Sequence, residues 1–315
     1  MKEAALLAPE PLAPVAASSA IERLPATATH SLFSDLCELV KARLTALVLT
    51  TTLAGFYLGW QGPMNWLALF NALFGTALVA SGAAALNELI ERDADANMRR
   101  TRDRPLPSGR LQPDAALVIG FALAAGGLLY LLMLVNALSS TLAAVTLGSY
   151  LFAYTPLKRI TTLNTLVGAI PGALPPVIGW AAARGSVDIQ AWALFGILFC
   201  WQMPHFLAIA WMYREEYAGA GFVMLPNTDE DGASTGRQAV NYSGALLLVS
   251  LTPSLLGLTS PVYFFGALAL GAGMIYFAWQ LQAVRSRPRA RRLFFASIVY
   301  LPLLLALLAL CKQTT

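Results

Sequence analysis

Residues 66–91 read WLALFNALFGTALVASGAAALNELIE, and the chain runs on directly into Arg92-Asp93-Ala94-Asp95. No charge falls between Trp66 and Asn87. A run of roughly 18 or more apolar residues is the pattern of a helix that crosses a bilayer. The stretch then turns polar at one end only. Asn87, Glu91 and Asp95 are spaced i, i+4, i+8, so on a helix they stack along one face. A membrane helix ending in a ladder of acids sets both the fold class and the place to look for chemistry.

Working outward, similar apolar runs recur. They predict nine spans, at about 44–61, 66–91, 114–134, 138–154, 163–183, 189–212, 240–258, 261–284 and 293–311. The expected fold is an all-α, polytopic membrane protein with nine transmembrane helices. Span five carries Pro171, Pro175 and Pro176 among Gly168, Gly172 and Gly179 and is expected to be kinked and closely packed. Within 31–43, Leu32, Phe33, Leu36, Leu39 and Val40 oppose Ser34, Asp35, Glu38 and Lys41, as in a short helix lying in the interface. Residues 1–30 are Ala/Pro-rich with Glu3, Glu10 and Glu22, and are expected to form a mobile cytoplasmic tail rather than a cleavable signal or transit peptide. Residues 31–315 make the membrane domain.

All Lys and Arg except Arg184 and Lys312 fall on one side of this arrangement. The excess of basic residues marks that side as cytoplasmic, which places the N-terminus inside and the C-terminus outside. The long polar loops 92–113 and 213–239 open on the same side, so the working face is expected there.

Composition excludes other classes. The chain is 57% hydrophobic and 12% charged, about half the charge of a soluble domain. Its basic residues sit at span ends and give no nucleic-acid-binding face. Cys37, Cys200 and Cys311 are too scattered for a metal site.

Like charges stacked four apart destabilise a helix unless a cation sits against them. Mg²⁺ is the natural one, because it binds through one or two carboxylates plus substrate phosphate oxygens. Asp93 joins Glu91 and Asp95 only if the helix frays. The arginines that follow suit a diphosphate. The same residues also suit a charged helix end that obeys the positive-inside rule. A second cluster ends span six: Trp201-Gln202-Met203-Pro204-His205-Phe206, followed by Arg214-Glu215-Glu216-Tyr217. On a continuous helix His205 and Glu216 are about 20° apart around the axis. His205 lies inside the apolar layer, where it suits a contact to substrate or, equally, hydrogen-bonded packing.

Together these motifs resemble the haem O synthase (protoheme IX farnesyltransferase) family of the intramembrane aromatic prenyltransferase superfamily. The likeness rests on Asn87 through Met98, Arg100-Thr101, Arg104-Pro105-Leu106-Pro107, Tyr154-Thr155-Pro156-Leu157-Lys158-Arg159 and Trp201–Phe206, and runs from about Phe33 to the C-terminus. It implies helices around a lateral cavity open to lipid, with a cytoplasmic mouth. It implies Mg²⁺ at Glu91 and Asp95, with Asp93 and Glu216 as further ligand candidates. Asn87, Glu91, Asp95 and Lys158 would be catalytic, and Lys158, Arg100, Arg104 and Arg43 would bind diphosphate. His205, Trp201 and Gln202 would face haem. The implied reaction joins farnesyl diphosphate to haem b, and haem A synthase or terminal oxidase assembly factors would be partners at the inner membrane. Glu91 stands where the family commonly has Asp, the second acidic motif is the shorter Glu215-Glu216-Tyr217, and Ala42 and Phe222-Val223 also depart from it. Two rivals are a prenyltransferase acting on a quinone precursor such as 4-hydroxybenzoate and an ion-coupled transporter. The latter would place acids near mid-membrane, within inverted repeats.

Overall fold

The computed structural model describes residues 31–313. The tail expected over residues 1–30 lies outside the described residues.

The chain from Leu32 onward is helical, with one isolated bridge, Thr259 to Lys312, as the only β pairing among the described residues. The short helix α1 (Leu32–Leu39) leads into α2 (Ala42–Gly59) through Lys41, whose φ of 47° makes it the one described non-glycine residue with positive φ. Helix α3 spans Trp66–Asp95, started by Asn65, whose side chain accepts from the Ala68 N–H. At about 1.5 Å per residue this 30-residue helix is longer than an apolar layer of about 30 Å. Its last turns therefore stand clear of the layer and carry the acidic ladder.

Helices α4 (Pro113–Leu134) and α5 (Ala137–Gly148) follow. The latter continues as a π-helical turn, Ser149–Tyr154, and ends in Thr155–Leu157. Span five is kinked, as expected, at Leu174, which keeps αR dihedrals between α6 (Asn164–Ala173) and α7 (Pro175–Arg184). Pro175 and Pro176 lack the N–H groups that would bond back into α6, so the ladder cannot run through Leu174. The remaining elements are α8 (Ile189–Met212), the short α9 (Arg214–Gly219) and α10 (Leu225–Thr228), then α11 (Ala233–Leu255), α12 (Pro261–Ala283) and α13 (Arg287–Leu310).

Among the described residues, eight helical stretches are long and apolar enough to cross a bilayer. The expected seventh span, 240–258, is not among them; its residues up to Leu255 lie in α11. That helix starts seven residues earlier than expected, and its N-terminal half, with Ser234, Thr235, Arg237, Gln238, Asn241 and Tyr242, is too polar to meet the same measure. It packs against α8 and α12, and its Ser250 hydroxyl lies 2.7 Å from the Tyr300 hydroxyl of α13.

Small residues set the packing. Helix α2 crosses α7 where Gly55 faces the Pro176 carbonyl and Gly179 faces the Thr52 carbonyl, and a Cβ at either glycine would overlap that backbone. Helices α3 and α4 interlock in the same way through Gly82 and Gly127. Around α8 the largest core gathers Trp180, Ile197, Leu207, Tyr263 and Tyr300 from four helices. Large apolar side chains such as Phe121, Phe152, Leu248 and Phe265 remain exposed, as on a surface that faces lipid.

The interfacial helix is shorter than expected, and one side chain breaks its predicted two-sidedness. Asp35 was expected on the polar face, yet it is buried, because Arg110 folds over it with Nε 2.9 Å from Oδ1. Leu32 and Phe33 are exposed, while Leu39 is fully buried.

Candidate active site

Helix α3 delivers Asn87, Glu91 and Asp95 to one face, as their spacing predicts. All three are buried. A different cation meets each of them. Lys41 Nζ donates to Asn87 Oδ1 at 2.7 Å, Lys158 Nζ to Glu91 Oε1 at 2.7 Å, and Arg104 Nη1 to Asp95 Oδ2 at 2.6 Å. Asn87 is further held by the Tyr150 hydroxyl at 3.1 Å and itself donates to Thr155 Oγ1 at 3.1 Å. Glu91 Oε2 and Asp95 Oδ1 make no hydrogen bond to any described residue.

The local folding explains the convergence. The left-handed turn at Lys41 ends α1 and starts α2, which puts the lysine at the mouth of the helix pair. The π turn sets Tyr150 and Tyr154 against each other with centroids 5.6 Å apart, and Lys158 lies 4.4 Å from the Tyr154 ring centroid. Loop 96–112 curls back so that Thr101 Oγ1 donates to the Asp95 carbonyl and the Leu106 N–H reaches Glu88 Oε1 at 3.3 Å. Glu88, fully buried, keeps its other oxygen unpaired.

The charges perturb one another. Burial, reinforced by the nearby Arg104 and Lys158, pushes Lys41 down to about 8. Burial also opposes the charge on Lys158, but the Tyr154, Glu91 and Tyr150 oxygens more than offset it and hold that ammonium above the usual lysine value.

Beside the ladder lies a cavity of about 400 Å³. Its walls are apolar, including Val48, Val79, Leu147, Ile178 and Phe206, and its polar end carries Arg100, Tyr150, Tyr154 and Tyr217. Arg100 also donates to the Tyr217 hydroxyl at 3.4 Å. Such a space accepts a long apolar chain with an anionic head at the charged end.

Other expected site residues fall elsewhere. Helix α3 does not fray before Asp95, so Asp93 points away from the ladder, pairs with Arg92 at 3.0 Å and is largely exposed. Arg43 is exposed on the first turn of α2 and makes none of these contacts. Helix α8 ends at Met212, and Tyr213 turns the chain before α9, so the register that aligned His205 with Glu216 is not continuous. Glu216 Oε2 is nevertheless buried and without a partner. Of the three residues expected to face haem, only Gln202 lines the cavity. Trp201 Nε1 donates to the Ser297 carbonyl at 2.7 Å, and the His205 ring lies against Trp201 and Phe294, toward α13.

Lys41, Tyr150 and Tyr154 were not among the site residues expected from sequence, although Lys41 and Tyr154 fell in stretches noted for other reasons. Their signal was present as a lysine at the threshold of an apolar run and two hydroxyl-bearing rings, four apart, near the end of another.

The donors on the ladder are oxygens throughout. No cluster of three or more His, Cys, Asp or Glu among the described residues forms a complete metal cage. Two carboxylates, each with an uncommitted oxygen and ringed by cations, are the partial set that Mg²⁺ uses when substrate phosphates complete its shell.

Residues 48–299 match the model of the UbiA prenyltransferase family. The chain belongs to that family. Within it, the chain is 49% identical over 285 residues to a protoheme IX farnesyltransferase of Solibacter usitatus, covering 88% of this chain and 98% of that protein. The fold is that of solved family structures. A digeranylgeranylglyceryl phosphate synthase structure superposes with a TM-score of 0.76 at 15% identity, covering 89% of this chain and 98% of the other. A UbiA homologue from Archaeoglobus fulgidus, bound to GPP and Mg²⁺, gives 0.62 at 14%, covering 88% and 100%. Membership makes this a multi-pass membrane protein, and it sets aside the transporter reading. The UbiA family frame also fits the acids at one end of the bundle rather than at mid-membrane.

Proposed function

We propose that the chain transfers the farnesyl group of farnesyl diphosphate to a vinyl carbon of protohaem IX, with addition of water, to give haem O. The observation that carries the prenyl-transfer half is the apolar cavity whose polar end, with Arg100, Tyr150 and Tyr154, abuts the Asn87–Glu91–Asp95 ladder. The choice of haem as acceptor is supported by identity to protoheme IX farnesyltransferase along nearly its whole length.

The residues account for the steps. The farnesyl tail lies along the apolar walls, and its diphosphate reaches Lys158, Arg104, Arg100 and Lys41. Lys158 and Arg104 exchange a carboxylate oxygen for a phosphate oxygen, which leaves Glu91 and Asp95 to hold Mg²⁺, with Glu216 as a further ligand candidate. Mg²⁺ bound there supplies charge neutralisation for the departing diphosphate. As the allylic C–O bond breaks, the fixed ammonium and guanidinium groups stabilise the leaving group. The faces of Tyr150 and Tyr154 attract the positive charge left on carbon. The vinyl carbon then attacks, and water adds to the resulting cation and releases a proton. Apolar walls keep water from capturing the farnesyl cation first.

In this reading the protein sits in the cell inner membrane with its N-terminus and the ladder on the cytoplasmic side. Its product passes to haem A synthase or terminal oxidase assembly.

The test is a membrane assay with haem b, farnesyl diphosphate and Mg²⁺, with products read by mass spectrometry. The expected product is haem plus farnesyl plus water, formed only with Mg²⁺. Unmodified haem despite bound farnesyl diphosphate would overturn the acceptor, and a quinone precursor such as 4-hydroxybenzoate would be tried next.

A further inference from the structure

We propose that the cavity ends in a fixed stop, built by Val79, Ala143 and Ile178, that measures the prenyl tail and admits three isoprene units. This rests on the reading of the site as one for a prenyl diphosphate and adds to it the residues that choose the length.

The lining of the cavity breaks off on each helix in turn. It reaches Val48 on α2, Thr76 on α3, Ala143 on α5 and Ile178 on α7, and goes no further from the ladder. Beyond these residues the helices close on one another. Val79, Ala143 and Ile178 pack with Leu131 of α4 into one apolar cluster, each no more than 4% exposed. Thr52, one turn past Val48 on α2, is fully buried, and its carbonyl lies against Gly179.

Polar side chains stitch the stop from behind. Asn136 Nδ2 donates to the Ala181 carbonyl at 2.9 Å, while Asn136 Oδ1 accepts from the Ser139 N–H at 2.8 Å. The buried Ser139 hydroxyl reaches the Ile178 carbonyl at 3.4 Å. These bonds tie the first turn of α5 to α7, so the stop does not slide. Thr76 commits its hydroxyl to the Ala72 carbonyl at 2.7 Å and offers the tail no free proton. Between stop and ladder α3 shows the cavity only Ala80, Ala83 and Ala84, which leaves width for a branched chain.

Depth decides the length. A diphosphate on Lys158 and Arg104 lies at the Glu91 and Asp95 rungs, which puts the first tail carbon near Asn87, the rung nearest the cavity. Val79 and Thr76 precede Asn87 by eight and eleven residues, or about 12 and about 16 Å of helix rise. An extended chain advances about 3.5 Å for every three bonds. A farnesyl tail, eleven bonds along its main chain, therefore needs about 13 Å and meets the stop. A geranyl tail, seven bonds, needs about 8 Å and falls short of it. A geranylgeranyl tail, fifteen bonds, needs about 18 Å and overruns it.

The experiment measures, by calorimetric titration, the affinity of the purified full chain for geranyl, farnesyl and geranylgeranyl diphosphates, with Mg²⁺ and without haem. Wild type is expected to favour farnesyl at least tenfold over both others. Ile178→Ala deepens the cavity and should raise geranylgeranyl affinity at least fivefold. Ala143→Leu makes it shallower and should weaken farnesyl at least tenfold while geranyl binds as before. Inorganic diphosphate, which has no tail, should bind every form equally and checks folding. Where Ile178→Ala fails that check, Val79→Ala deepens the same stop and should give the same gain. Geranylgeranyl binding as tight as farnesyl in wild type would overturn the stop, because the tail would then leave sideways into lipid. An unchanged order of preference in correctly folded variants would overturn it as well. Failure of all three tailed diphosphates to bind would defeat the prenyl-site reading and the stop together. Unmodified haem beside a length-selective site would defeat the acceptor alone and sustain the stop.

Discussion

Lys158 Nζ and Glu91 Oε1 meet at 2.7 Å across 67 residues of chain, with the two side chains only 13% and 7% exposed. Removing one partner of a buried pair strands the other, at a cost of about 3–5 kcal/mol. Lys158→Met is therefore expected to lower thermal stability markedly and to cut kcat about 10²–10³-fold, the scale for losing one preorganised charge donor. Lys158→Met/Glu91→Gln should recover most of the stability and none of the turnover. Recovery of both would make the pair purely structural.

Asp95 and Arg104 form the outermost rung. Asp95→Asn keeps a hydrogen-bond acceptor for Arg104 but removes the charge offered to Mg²⁺. The variant should insert and fold normally, as judged by detergent gel filtration, while farnesyl transfer falls to background at any Mg²⁺ concentration. Normal turnover would remove Asp95 from the metal site.

Glu88 ties loop 96–112 to α3 through the Leu106 N–H. Glu88→Ala removes that anchor and leaves a buried donor unsatisfied, a loss of about 1–3 kcal/mol. Because the same loop carries Arg100 and Arg104, KM for farnesyl diphosphate should rise more than kcat falls. Glu88→Gln should restore most of the loss. A fall in kcat with unchanged KM would place Glu88 in the chemistry instead.

Gly179 lies against the Thr52 carbonyl where α2 and α7 cross. An added methyl has only backbone to push on. Gly179→Ala should lower the melting temperature by an amount equivalent to about 1–3 kcal/mol. Gly244, with open space around its Cβ position, should accept alanine without such a loss.

Asp229 caps the start of α11, with Oδ2 accepting from the Thr235 N–H at 2.6 Å and from its hydroxyl at 2.7 Å. Burial pushes this carboxyl up, but the Thr235 and Ser234 donors outweigh burial and hold it below the usual value. The group thus binds protons less readily when folded, so its contribution is present at neutral pH and fades as pH falls through the folded value. The Tm difference between wild type and Asp229→Asn should shrink on acidification from pH 7 to pH 3. A constant difference would exclude the cap.

The ladder was legible because Asn87, Glu91 and Asp95 share a helix, and helical spacing alone puts them on one face. The span positions were legible for a similar reason, since apolar runs report burial in lipid. What spacing could not supply was pairing across distance. Lys41 meets Asn87 and Lys158 meets Glu91 only after α2, α3 and α5 have packed. Local breaks also escaped it. The turn at Tyr213 dissolves the register projected from His205 to Glu216. Asp35 was misread because amphipathic periodicity takes lipid and water as the only neighbours, and Arg110 is neither.

The π turn at Ser149–Tyr154 holds one more residue per hydrogen-bonded loop than the α-helix on either side of it. The helix is thereby clocked: everything from Thr155 onward is rotated by most of a quarter-turn or more relative to the frame set by α5. Excising a single residue there would delete no functional group. It would dial Lys158 off Glu91 and Thr155 off Asn87 together, so the spacing of this one loop sets the timing by which the two halves of the site come into phase.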